Sequence, residues 1–133
     1  MRSIVKTYLQ NNAVSGFGVS DQLPFNQNGQ ALYLQNLKTL YVDQPRTEQE
    51  PLYDTLDDTA VVTETTTVDV YVATDAKTLP SNYDTLVTTV KGVRTDSSIQ
   101  GFHAKEINVI TSIVNSDQLQ TQFECKFTKV INN

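Results

Sequence analysis

The stretch from Val61 to Thr74, VVTETTTVDVYVAT, limits the possible folds more than any other part of the chain. Its side chains are largely β-branched, which stiffens them against helix formation and suits a pleated surface. Val68, Val70 and Val72 fall on one face, with Asp69 and Tyr71 on the other, which is the two-residue period of a half-buried strand. Residues 120–130 repeat that grammar. Phe123, Cys125 and Phe127 point one way, and Gln122, Glu124 and Lys126 the other. Residues 102–114 form a third strand, with Ile107, Val109 and Ile113 on one face. The turn-forming run Asn115-Ser116-Asp117-Gln118 then joins the last two strands into an antiparallel hairpin.

Two segments carry a helical period instead. In the first ten residues Ser3 is a candidate cap, and Ile4, Val5, Tyr8 and Leu9 share a face. After a turn at Asp75–Leu79, Ser81 and Asp84 mark a second helix start, and Tyr83, Leu86, Val87 and Val90 trace its apolar stripe over 81–94. Gly92 weakens the end of this helix.

The remaining stretches are less regular. Residues 15–30 read as a loop anchored by Leu23 and Phe25, with Pro24 between them barring a central strand. Residues 31–42, ALYLQNLKTLYV, read as a strand, with a helix as rival because Leu34, Leu37 and Tyr41 also fit a 3.6 period. Residues 43–60, DQPRTEQEPLYDTLDDTA, hold six acids, one Arg, Pro45 and Pro51, with Leu52, Tyr53 and Leu56 as their large apolar groups. The prolines argue for a long exposed loop, the kind that meets a partner. The expected fold is therefore one α+β domain over residues 1–133. It has a mainly antiparallel four-stranded sheet, two helices packed on one side and a long acidic loop.

Chemistry is sparse. With one histidine, His103, the chain has no two-histidine zinc site, and no local motif makes His103 the base of a Ser-His-Asp arrangement. The lone Cys125 has no disulfide partner in the chain and reads as a small core residue; it fits a reducing compartment. Asp57-Asp58 lacks the glycine and terminal glutamate of a calcium loop, and Gly16-Phe17-Gly18 lacks the Lys-Ser/Thr of a phosphate cradle. Fifteen acids against ten bases leave a net charge of −5, which disfavours binding to nucleic-acid phosphates. Lys126, Lys129, Lys91 and Arg94 read as solvent-facing charges. No run approaches the ~18 apolar residues of a membrane span, and no signal-peptide core is present. The expectation is a non-catalytic protein with no cofactor and no metal.

The carboxy-terminal half extends this reading. TTTVDVYVATDAKTLPSNYDTLVTTVKGVRT followed by GFHAKEINVITSIVNSDQLQTQFECKFTKV resembles the tail-terminator, or tail-completion, proteins of long-tailed bacteriophages. The likeness covers about residues 60–131 and lies in element order: a strand like Val68–Val72, a turn, an amphipathic helix and two long strands, the last with an aromatic run like Phe123–Phe127. The short first helix matches as well, whereas the Gln-rich opening and the 43–60 loop depart from the pattern. The resemblance implies a virion structural protein at the head-proximal end of the tail, assembled in the host cytoplasm. Its partners would be copies of itself in a six-fold ring, the tail-tube protein and a neck or connector protein, with genomic DNA passing through unbound. Candidate interaction residues are Arg46, Glu48, Glu50, Tyr53, Asp54, Asp57 and Asp58 in the acidic segment, and Lys91 and Arg94 on the second helix. The rival readings are a head–tail connector or other neck component, an unrelated ligand-binding or enzymatic α+β domain, and a cytoplasmic regulator that recruits a basic partner.

Overall fold

In the computed structural model, residues 1–21, 38–53, 61–114 and 116–132 are described. Helix α1 (Arg2–Asn11) is followed by strands β1 (Gly18–Ser20), β2 (Thr39–Val42), β3 (Arg46–Tyr53) and β4 (Val61–Asp75). Helix α2 (Tyr83–Lys91) continues into a 3-10 turn (Gly92–Thr95), and β5 (Ala104–Ile113) and β6 (Gln118–Asn132) complete the chain. Leu23, Phe25, Leu34, Leu37, Leu56 and Asn115 lie outside the described residues.

Among the described residues the sheet has six strands rather than the expected four, and it is mixed. Its order is β1-β2-β4-β6-β5, with β3 also paired to β4. Among the described strands only β1 against β2 is parallel. The axis is the antiparallel pair β4–β6, in register from Val61↔Asn132 to Asp75↔Gln118. The expected β5–β6 hairpin is present, from Ala104↔Thr128 to Ile113↔Leu119. Along the opposite side of β4, β2 pairs near Val70 and Tyr71, and β3 pairs from Thr67 to Val61. These two are successive pieces of one edge, interrupted at 43–45, where the Asp43 N–H still donates to the Asp69 carbonyl at 2.9 Å.

The acidic segment needs correction. Residues 46–53 are a paired strand, not part of a loop, because Pro51 sits on an edge strand, where a missing N–H is tolerated. Of the expected strand 31–42, residues 31–37 lie outside the described residues, and Thr39–Val42 is a strand, preceded by Lys38 in the left-handed region at φ 67°.

Both helices cover one face of the sheet. Val5 and Leu9 of α1 and Leu86, Val90 and Val93 of α2 and its extension join Val68, Val70, Val72, Phe123, Cys125 and Phe127 in a single buried core. The faces are those the alternation predicts. Ile107 and Val109 pack against the same core, but Ile113, on their face, is 79% exposed, because β5 runs past the core there. Ser3 is not the cap of α1, since Met1 occupies that position; Asn82, not Ser81, precedes α2 and donates its side-chain N–H to the Ser15 carbonyl at 2.7 Å. At the start of α1, the Arg2 Nε and Nη2 atoms both donate to the Val42 carbonyl at 3.1 Å, fastening the helix to the end of β2.

The two helices meet at Gly92. The Tyr8 hydroxyl donates to the Thr89 carbonyl at 2.7 Å, and a Cβ added at Gly92 would collide with that same hydroxyl oxygen. Gly92→Ala should therefore destabilise the protein by about 1 kcal/mol through the lost hydrogen bond, outweighing the helix-propensity gain. In a Tyr8→Phe background the same change should be neutral or stabilising. A double-mutant cycle by urea denaturation checks this, and additivity of the two changes would refute the coupling.

Candidate interaction surface

The face of the sheet away from the helices is polar. On it β3 presents Arg46, Glu48 and Glu50; β4 presents Thr65 and Thr67; β6 presents Glu124, Lys126 and Thr128; and β5 presents Ala104 and Glu106. Together these side chains line a groove of about 450 Å³. Its floor holds the Thr65 and Thr128 hydroxyls, 3.0 Å apart, with Thr67, Glu124 and Lys126, and its walls carry Arg46, Glu48 and Glu50 on one side and Glu106 on the other.

At the inner end of the groove lies Asp69, only 1% exposed. Its carboxylate accepts hydrogen bonds from the Arg46 guanidinium and, at 3.0 Å, from Gln122 Nε2. Arg46 reaches onward to Glu124 at 3.3 Å, and Lys126 meets Glu124 at 3.2 Å. Burial works to raise the Glu124 carboxyl, but hydrogen bonds from Lys126 and Asn108, with the charges of Lys126 and Arg46, hold it below the usual range. Both cations of the groove are thus committed to carboxylates. Glu48, Glu50 and Glu106 are exposed on its walls with no ion pair among the described residues.

Sequence reasoning named Arg46, Glu48 and Glu50, and the structure brings them into one groove. It places Tyr53 at the end of β3, and Asp54, Asp57 and Asp58 lie outside the described residues. Lys91 and Arg94 sit apart from the groove, at the end of α2 and in the 3-10 turn, exposed and without an ion pair among the described residues. Asp69, Glu106, Glu124 and Lys126 were not singled out as site residues, since they come from three distant segments that only sheet topology joins.

The outer edge of β5 is a second feature. Among the described residues β5 pairs with β6 alone. Its end carries Ile110 at 43% exposure, Ile113 at 79% and, just beyond, Val114 at 38%. His103 is exposed at the start of this strand, where its backbone N–H donates to the Thr128 carbonyl at 3.0 Å. Among the described residues no group of three or more His, Cys, Asp or Glu is placed to hold a metal ion, and no helix is long and apolar enough to cross a membrane. No known family's sequence pattern matches the chain, and no curated protein matches it either.

Two outcomes follow from the buried groups. Arg46→Ala should cost about 1–3 kcal/mol, because it strips a buried carboxylate of its charged partner, with the exposed half of the Arg46 side chain tempering the loss. Asp69→Asn should recover part of that cost in the double variant; thermal denaturation of the three variants reads both effects, and strict additivity would refute the pairing. Burial, with the charges of Asp69 and Glu124, pushes the Cys125 thiol up to about 12. Labelling of Cys125 by a thiol reagent at neutral pH should therefore proceed only as fast as the chain opens, and urea below the unfolding transition should accelerate it. Prompt labelling of the native protein would contradict this.

Proposed function

We propose that the chain is a structural subunit that assembles with copies of itself, of the tail-terminator kind that caps a phage tail tube as a ring and joins it to the neck. The observation that carries this reading is the open edge of β5, ten residues long and ending in the exposed apolar side chains Ile110, Ile113 and Val114. Unpaired backbone donors and acceptors beside apolar side chains are a ready association site, and monomeric proteins commonly block such edges with charge or proline. Here the edge carries Lys105 and Glu106 near its start and none of these devices near its end.

The surroundings support an assembly role. Among the described residues the sheet is covered by helices on one face and uncovered on the other, so its two sides are unlike. Subunits with unlike sides form heterologous contacts, which close into a ring when the rotation between neighbours closes. Such a ring has two different faces, so it can seat on a tube by one and end growth with the other. An acidic surface also lets DNA pass without retention, since phosphates find no clustered counter-charge.

Negative-stain electron microscopy of the purified full chain, alone and with tail tubes, tests the reading. Closed rings, free or at one tube end, are expected. A strictly monomeric protein that never associates with tubes, or one that turns over a small-molecule substrate, would overturn it.

A further inference from the structure

We infer that the acidic groove on the bare face of the sheet receives the basic end of α2, Lys91 and Arg94, from a second copy of this chain. The inference rests on the self-assembly reading above and specifies which surfaces meet.

Charge identifies the occupant. Glu48 and Glu50 stand on one wall of the groove and Glu106 on the other, all exposed and without an ion pair among the described residues, while Arg46 and Lys126 are held by Asp69 and Glu124. A surface of this kind calls for cations from outside the molecule. Lys91 and Arg94 supply them: one turn apart, exposed, and without carboxylate partners among the described residues. The neighbouring Asp96 carboxylate accepts the Ser98 N–H at 2.7 Å and forms no ion pair with either cation among the described residues.

Shape agrees with charge. β3 and β5 are separated by β4 and β6, so the walls stand three strand spacings apart, roughly 14 Å. A helix with its side chains is about 10–12 Å across. The floor between the walls is Thr65, Thr67 and Thr128 with Lys126, whose ammonium is drawn to Glu124 at 3.2 Å. Within one molecule the two surfaces lie on opposite sides of the sheet, because α2 packs on the core face and the groove opens on the other. They cannot satisfy each other in one copy. Between copies they repeat the layering of the fold itself, helix on sheet, in a head-to-tail sense.

Sedimentation velocity of the full-length protein, from 5 to 500 µM in about 50 and 500 mM salt, reads the association. Wild-type self-association should weaken at least tenfold at the higher salt. The variants Glu48→Lys/Glu106→Lys and Lys91→Glu/Arg94→Glu should each weaken it about 100-fold, as like charges then face each other. An equimolar mixture of the two should assemble again, since each presents what the other needs. Circular dichroism verifies folding; if a reversal unfolds the chain, Glu48→Gln/Glu106→Gln should still weaken association about tenfold. Oligomers indifferent to these changes and to salt would overturn the inference and leave the assembly reading standing. A wild-type protein that is monomeric at every concentration would overturn the inference, and if it also failed to associate with tail tubes the assembly reading would fall with it.

Discussion

The register between β4 and β6 is the constraint on which the rest of the structure depends. Fifteen consecutive residue pairs lock two strands of fifteen residues, and the strict alternation of side chains across that pairing decides what each face becomes. At one half of the pair, Val68, Val70, Val72, Phe123, Cys125 and Phe127 point the same way and create the apolar surface that both helices cover. A slip by one residue would send every one of them to the bare face, so burial of this set holds the register in place. Toward Val61 the same face turns polar. Glu64 there meets Lys129, its register partner, at 3.6 Å, and accepts a hydrogen bond from Gln49 at 2.8 Å. Beyond the reach of the helices, cross-strand polar pairs replace the core as the source of order.

This division explains how much of the fold could be read from the residues. β4, β5, β6 and both helices were legible because each buries one face, and burial writes a period of 2 or 3.6 into the apolar residues. β3 was not legible. Its alternation is present, with Arg46, Glu48 and Glu50 on one face and Thr47 and Gln49 on the other, but both faces are wet and no apolar period marks it. Pro45 and Pro51 then argued for a loop, although Pro51 on an edge is compatible with pairing. β1 is three residues long and too short for any period.

The candidate surface divides the same way. Charge density drew attention to Arg46, Glu48 and Glu50, yet nothing local told which of the acids were already neutralised. That depends on Asp69 and Glu124, 23 and 78 residues from Arg46, brought to it by pairing through β4 and β6. The groove is a property of topology, built from positions that carry no common motif.

The edges of the sheet are unlike in a way that bears on how large an assembly can become. β3 shows charged side chains and a residue with no N–H, Pro51, so a further strand laid along it would find a gap in the hydrogen-bonding template. β5 has no such gap. With β3 interrupted as a template and β1 beside it three residues long, edge pairing on that side offers little from which an endless cross-β fibril could grow. That leaves side-chain contacts between faces to set the number of copies, and so favours an object of finite count.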